Sequence, residues 1–195
     1  ADGVLCLFHD DYLRRIVGRD GRIEDMKWDE VRTLDVGRWF GEGEFAGETP
    51  MTLAAAIELC LEGGGTPLIE QKSGSPERYA LVLERNEWLD RVVVQSFDWG
   101  FLKELSERLP NLVIGALGKR SLDGRQMARL RRLIPDWVGW KHSDLSETGL
   151  EVLHKARFQV AIWTVNDLSA ARKWSGRGVD GIITDRPDDF VSLLE

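Results

Sequence analysis

The chain lacks the features of a membrane-spanning or disulfide-stabilised protein. None of its apolar runs approaches the ~18 residues that a membrane-spanning helix needs. It has only two cysteines, Cys6 and Cys60, each in an apolar stretch where it resembles a small core residue. No disulfide framework is therefore expected, and the N-terminus shows no signal-peptide pattern. Together these observations predict a reducing, cytoplasmic location.

The chain also lacks an excess of positive charge. It has 26 lysines and arginines against 33 aspartates and glutamates, which gives a formal net charge of −7. A nucleic-acid-binding domain needs a basic face, so nucleic acid is not an expected partner. A small phosphate ligand stays compatible with this balance, because a few local cations suffice to bind it. No glycine-rich nucleotide fingerprint follows a predicted strand.

A regular alternation of short apolar strands and helices begins near Thr52. Strands separated by helices indicate a parallel sheet, either an open doubly wound sheet or a closed (β/α)8 barrel. Polar side chains at the strand ends favour the barrel, whose active site is built there. A barrel needs eight strands, so two are expected to lie in front of this chain. The six predicted strands start near residues 67, 92, 112, 137, 159 and 181, and the polar residues near their ends are Glu70, Lys72, Gln95, Ser96, Lys141, Asn166 and Asp185.

The first 50 residues are less regular. Val4–Phe8 reads as a strand that ends at His9 and Asp10, and residues 11–50 are polar and rich in glycine. Their one helix candidate is Trp28–Leu34. A stretch of this length with little regular structure is usually a functional loop or a small insertion. We expect it to lie near the mouth of the barrel.

Glu70 and Lys72 carry the clearest chemical signal. Side chains two residues apart on a strand point to the same face, and apolar residues precede this pair. Opposite charges at the end of a buried strand can hold a divalent cation and a phosphate side by side. The residues alone leave an ordinary structural ion pair as the alternative.

Six motifs follow one another along the chain: Asp2-Gly3-Val4 leading to His9-Asp10, Phe45-Ala46-Gly47-Glu48, Ile69-Glu70-x-Lys72, Ser96-Phe97-Asp98, Trp163-Thr164-Val165-Asn166-Asp167 and Gly178–Pro187. Together, in this order, they resemble the motifs of the glycerophosphodiester phosphodiesterases, which are barrels of the phospholipase-C-like type. The resemblance covers nearly the whole chain. It implies an α/β fold, namely a (β/α)8 TIM barrel that lacks its first two strands in this chain. Residues 1–195 would form a single domain, with 11–50 as a loop or small insertion near the active site.

The resemblance also implies roles for four residues. His9 matches a catalytic histidine, Glu70 a metal-binding glutamate, Lys72 a lysine that approaches the phosphate, and Trp163 a tryptophan that lines the substrate pocket. The implied reaction is metal-dependent hydrolysis of a glycerophosphodiester to glycerol 3-phosphate and an alcohol. The metal would be Ca²⁺ or Mg²⁺, since carboxylates suit hard cations, and a histidine with a pKa near ~6.5 suits proton transfer.

Other interpretations stay open. Family members begin with His-Arg-Gly and Glu-x-Asp motifs that precede the part of the fold present here. The chain could therefore be an inactive, truncated barrel that binds phosphate weakly, or associates with copies of itself through open strand edges. A lysophospholipase D acting on lipid head groups is a third interpretation. His142 and His154 match no motif, and Arg15 could face either the pocket or the loop.

Overall fold

The computed structural model describes residues 1–191. Contacts between residues divide the chain into two compact units. Unit 1 comprises Ala1–Val93 and Glu107–Leu112, and unit 2 comprises Val94–Ser106 and the chain from Val113 onward. The elements, in chain order, are α1 (Arg14–Val17), α2 (Trp28–Val31), α3 (Leu53–Glu62), β1 (Leu68–Glu70), α4 (Pro76–Arg85), β2 (Val93–Ser96), α5 (Trp99–Arg108), β3 (Val113–Gly118), α6 (Gly124–Leu133), β4 (Trp137–Lys141), α7 (Glu147–Lys155), β5 (Gln159–Trp163), α8 (Leu168–Ser175), β6 (Gly181–Ile182) and α9 (Pro187–Val191).

Helix α3 begins where the sequence predicts. The hydroxyl oxygen Oγ1 of Thr52 accepts a hydrogen bond from the amide of Ala55 at 3.2 Å and caps the helix. Leu53 and Ile57 are buried on one face of the helix, and the helix ends at Gly63. Capping and apolar spacing are local properties, so the sequence alone locates this helix.

The predicted strand at Val4–Phe8 is wrong. The segment makes a single antiparallel bridge, between Cys6 and Thr52. The amide of Leu7 donates to the carbonyl of Met51, and the amide of Leu53 donates to the carbonyl of Leu5. This pairing is too short for a strand, because helix α3 begins at Leu53 and ends the extended partner.

Residues 11–50 contain α1 and α2, two short 3₁₀ turns and connecting loops. The side chains of Leu13, Ile16, Val31 and Leu34 are buried in this segment. The carboxylate of Asp2 accepts a hydrogen bond from the amide of Trp28 at 2.8 Å, which ties the N-terminal residues to the start of α2. This bond also lowers the pKa of Asp2. The assignment of residues 11–50 as an insertion at the active site within one domain stays a prediction.

Unit 2 contains a parallel sheet. Strands β3, β4, β5 and β6 lie side by side in chain order, with Gly115 opposite Trp137, Trp137 opposite Gln159, and Ala161 opposite Gly181. Consecutive strands are joined by helices, as right-handed βαβ units require. Val138, Val160 and Ile162 are fully buried on these strands.

Asp144 and Glu147 have the spacing of a capping box, which predicts that Asp144 caps α7, and this prediction is wrong. The helix is capped by Ser146, whose hydroxyl oxygen accepts from the amide of Gly149 at 3.0 Å. Asp144 instead accepts a hydrogen bond from the amide of Arg120 at 2.6 Å, and this bond lowers the pKa of the carboxyl. Capping-box spacing is short and recurs by chance, and Asp144 has a better partner across the fold.

Gly118 permits a close approach inside unit 2. The fully buried Trp140 covers it, and a Cβ atom at Gly118 would lie 2.1 Å from the Trp140 ring. The Trp140 indole is also fixed by a hydrogen bond to the carbonyl of Arg120 at 2.8 Å. We expect Gly118→Ala to lower the free energy of unfolding by roughly 1–3 kcal/mol, the usual cost of overpacking. Chemical denaturation measures this.

The control for this variant is Gly124→Ala. Gly124 is the first residue of α6, and a Cβ atom there would meet no other atom within 4 Å. An equal loss of stability in both variants would contradict the packing argument.

The sequence also predicts a final helix over residues 188–194, which lies partly outside the described residues. Within them, α9 ends at Val191. Within residues 1–191, no helix is both long enough and apolar enough to cross a membrane. Cys6 and Cys60 are free thiols, both half-buried.

Candidate active site

Glu70 and Lys72 lie at the carboxyl end of β1. The Lys72 ammonium Nζ donates to the Glu70 carboxylate Oε1 at 2.7 Å. The Glu70 side chain is 28% exposed and the Lys72 side chain 33% exposed, so both charges meet water from a partly buried strand end. Such a pair is held in place by the strand and stays accessible to a ligand.

One cavity of unit 1 brings the predicted polar residues together. It has a volume of about 440 Å³, and His9, Glu70 and Lys72 all line it. Arg78 also lines the cavity and supplies a second cation, which the sequence reasoning missed. The guanidinium of Arg78 lies over Gly3, whose φ of +80° and lack of a Cβ atom make room for it.

The wall of the cavity is partly apolar. Tyr79 and Cys6 line it beside the charged residues. Burial raises the pKa of the Tyr79 phenol to about 12 and also raises the pKa of the Cys6 thiol. The Tyr79 hydroxyl donates to the carbonyl of Ser73 at 3.3 Å, which fixes the loop after Lys72. Both side chains therefore stay neutral and serve as packing for the site.

His9 pairs with the residue that follows it. Its ring nitrogen Nδ1 lies 2.6 Å from the Asp10 carboxylate Oδ1. The His9 side chain is 71% exposed, whereas that of Asp10 is 22% exposed. The imidazole is thus accessible from the cavity while its partner is largely covered.

Arg15 faces Asp10. Its Nε donates to Oδ2 of Asp10 at 2.6 Å, and a second guanidinium nitrogen donates to Oδ1 at 2.7 Å. The hydrogen bonds from Arg15, and then that from His9, hold the pKa of Asp10 well below its usual range. The sequence left open whether Arg15 faces the pocket or the loop. In the structure this bidentate pair holds the Arg15 guanidinium on Asp10.

Glu70 fits one position in a metal site. Residues 1–191 contain no group of three or more His, Cys, Asp or Glu side chains arranged to hold a metal ion. Mg²⁺ is often bound by one or two carboxylates, with water and substrate phosphate completing its shell, whereas Ca²⁺ takes six to eight oxygens. The hydrogen bond from Lys72 goes to Oε1 of Glu70, so Oε2 is the oxygen that would bind a cation such as Mg²⁺.

Trp163 belongs to unit 2, at the end of β5. Its indole donates to the carbonyl of Gly139 at 3.1 Å, and its ring meets Phe97 edge to face at a centroid distance of 5.4 Å. Phe97 is 40% exposed, and the Lys119 ammonium lies 5.4 Å from its ring centre. Trp163 therefore forms an accessible aromatic pair with Phe97, and the Lys119 ammonium lies beside that pair. The sequence singled out Trp163 but predicted neither of these contacts.

Several polar residues at the strand ends of unit 2 hold loops in place. Asn166 donates to Asp185 at 2.8 Å and accepts from the Asp185 amide at 2.9 Å, which fastens the loops after β5 and β6. Asp98 accepts from the amide of Phe101 and caps α5. Gln95 differs, because its amide oxygen Oε1 is buried without a hydrogen-bond partner in residues 1–191.

The two remaining histidines lie in unit 2. His154 pairs through Nε2 with Asp180 at 3.0 Å, and Asp180 also accepts from the amide of Val160 at 2.7 Å. The His154–Asp180 pair joins the end of α7 to the residue before β6, and the bond from Val160 links that residue to β5. His142 contributes its backbone amide to the carbonyl of Trp163.

Comparison with known proteins decides the family. The profile of the Glycerophosphoryl diester phosphodiesterase family matches residues 1–189. The chain belongs to this family. A putative glycerophosphodiester phosphodiesterase, YhdW of Bacillus subtilis, is 29% identical over 97% of the chain and 80% of its own length. A glycerophosphodiester phosphodiesterase of Caldanaerobacter subterraneus is 29% identical over 99% of the chain and 81% of its own length.

Solved structures of this family share the fold. A phosphodiesterase of Oleispira antarctica, in complex with the product sn-glycerol-3-phosphate, matches with a TM-score of 0.91 and 27% identity over 99% of the chain and 80% of its own. A glycerophosphodiester phosphodiesterase of Thermotoga maritima matches with a TM-score of 0.71 and 25% identity over 97% of the chain and 79% of its own. The predictions of a TIM-barrel α/β fold and of a phosphodiesterase enzyme are confirmed.

Proposed function

We propose that this phosphodiesterase hydrolyses glycerophosphodiesters to glycerol 3-phosphate and an alcohol, with a divalent cation and with His9 in proton transfer. The observation that carries the proposal is the cavity of unit 1, where an imidazole, a carboxylate and an ammonium group face the same space. Each group has a use in phosphodiester hydrolysis. The ammonium group can bind the phosphate oxygens, the carboxylate can bind a divalent cation, and the imidazole can transfer a proton.

Lys72 and Arg78 supply fixed positive charge for the phosphate. Both line the cavity, and Lys72 is held at the strand end by its ion pair with Glu70. Lysine binds phosphate as a point charge, whereas arginine offers a planar fork. In the bound state Lys72 would share its three N–H donors between Glu70 and a phosphate oxygen.

Glu70 would hold the divalent cation through its carboxylate, with water and phosphate oxygens as further ligands. When bound, such a cation polarises the phosphoryl oxygens and offsets the negative charge that develops on them. A single carboxylate favours Mg²⁺ over Ca²⁺ in this proposal.

His9 would move the proton that the reaction requires. Water adds to phosphorus, the bond between phosphorus and the alcohol oxygen breaks, and the departing alkoxide takes a proton from the imidazolium. The proton that water loses passes through solvent to the neutral imidazole left behind, so His9 regains its proton and the products are glycerol 3-phosphate and an alcohol. His9 is accessible enough for this exchange, with 71% of its side chain exposed.

Trp163 would line the substrate pocket, as the family resemblance implies. Its edge-to-face contact with Phe97 fixes the plane of the ring, and a rigid aromatic face suits the apolar part of a glycerol or alcohol moiety. Small glycerophosphodiesters are the proposed substrates, which is consistent with the glycerol 3-phosphate complex of the similar Oleispira antarctica phosphodiesterase. The cytoplasmic location and self-association stay predictions.

The test is a direct assay of the purified chain. We expect release of glycerol 3-phosphate from glycerophosphocholine, lost on treatment with a chelator and restored by Mg²⁺. Lysophosphatidylcholine is assayed in parallel, and preferential hydrolysis of it would support the lysophospholipase D interpretation. No release from either substrate, with or without metal, would support an inactive domain and contradict the proposal for this chain.

A further inference from the structure

We propose that Asp10 and Arg15 form a positioning pair that fixes the orientation and the tautomer of His9. This inference rests on the proposed function, because it assumes that His9 exchanges a proton with the substrate. Asp10 lies between the two side chains, 2.6 Å from Nδ1 of His9 and hydrogen-bonded twice to Arg15. The pair therefore acts on the reaction through His9.

Exposure makes an orienting partner necessary. The His9 side chain is 71% exposed, so packing alone leaves its ring free to rotate. Asp10 is more covered, at 22% exposure, and the fork of Arg15 holds both of its oxygens. A bidentate contact fixes the plane of a carboxylate, and one oxygen of that fixed plane meets His9.

The charge of Asp10 decides which nitrogen of His9 carries the proton. The hydrogen bonds from Arg15 and from His9 keep the pKa of Asp10 low, so the carboxylate is ionised and can only accept. Nδ1 of His9 must therefore be the donor at 2.6 Å. That leaves Nε2 as the nitrogen that exchanges a proton with a bound phosphodiester.

Arg15 is itself held by an aromatic ring. Its guanidinium carbon lies 4.6 Å from the ring centre of Trp39, a cation–π contact. The Trp39 indole donates to the carbonyl of Val36 at 2.9 Å, which fixes the ring in its loop. The segment between residues 11 and 50 thus supports His9 through Trp39 and Arg15.

The test compares Asp10→Ala, Arg15→Gln and Arg15→Lys by nitrogen-15 NMR of the His9 imidazole at a pH where it is neutral. The wild-type chain should show the Nδ1–H tautomer, and Asp10→Ala a mixture of both tautomers. We expect kcat to fall roughly 10- to 100-fold in Asp10→Ala at nearly constant KM, the scale found for partners that orient metal-bound histidines. Arg15→Gln should change the tautomer ratio and kcat in the same direction as Asp10→Ala does. Arg15→Lys should give values between those of Arg15→Gln and the wild-type chain.

Arg14→Gln is the matched control. Arg14 is the neighbour of Arg15 in α1, and its ion pair with Asp20 is highly exposed. The Arg14→Gln variant should leave the His9 tautomer and kcat unchanged. Persistence of the pure Nδ1–H form in Asp10→Ala would overturn the proposal. Full activity of a variant without His9 would instead refute the proposed function, while the tautomer measurement would still decide whether Asp10 positions the ring.

Discussion

Glu70→Gln is expected to abolish metal-dependent turnover while leaving the fold intact. The substitution keeps the shape of the side chain but removes the negative charge that attracts a divalent cation. The lost ion pair with Lys72 is partly exposed, so its contribution to the free energy of unfolding should be within about 1 kcal/mol. Steady-state kinetics across a Mg²⁺ titration measures turnover, and calorimetry measures cation binding directly.

Glu77→Gln provides a control of matched chemistry. Glu77 lies in α4 of the same unit and pairs with the guanidinium of Arg108, but it does not line the cavity. This variant should bind the cation and turn over substrate as the wild-type chain does. Unchanged cation binding and turnover in Glu70→Gln would remove Glu70 from the site.

Local chemistry explains why most elements could be predicted. The hydroxyl of Thr52 and the carboxylate of Asp167 cap the helices that follow them, and both caps are visible in the sequence because they bond to residues three positions on. The strands of unit 2 are apolar runs of the expected length. What failed was the pairing of Val4–Phe8, because a strand depends on a distant partner that must itself stay extended.

The interactions that support His9 could not be predicted for the same reason. Asp10 and Arg15 are near in sequence, yet nothing local shows that the arginine turns back over the carboxylate. The contact of Arg15 with Trp39 depends on the path of the loop between them. The capping role expected of Asp144 failed because the amide of Arg120, far away in sequence, binds that carboxylate.

The candidate site shows a different limit. Same-face spacing on a strand predicts that Glu70 and Lys72 meet, and they do, at 2.7 Å. His9 lines the same cavity because of the way unit 1 folds. The spacing of apolar residues along the sequence does not predict this. Only the motif order of the family related these residues in advance, and their catalytic roles stay predictions.

His9→Ala is expected to lower kcat by at least ~10²-fold, the scale of general acid–base catalysis. The alkoxide would then leave without a positioned proton donor, while Glu70 and Lys72 still bind the phosphate, so KM should change little. Added imidazole should restore part of the rate, which a purely structural defect would not allow. Steady-state kinetics with and without imidazole distinguishes these cases.

His154→Ala is the comparison that isolates this effect. His154 is also an imidazole paired with an aspartate, at 3.0 Å from Asp180, but it joins the end of α7 to the residue before β6, away from the carboxyl ends of the strands. Losing it should lower thermal stability and leave kcat unchanged. Equal loss of kcat in both variants would mean that breaking a histidine–aspartate pair disturbs the protein generally. A near-normal rate in His9→Ala alone would refute the role of His9 in proton transfer.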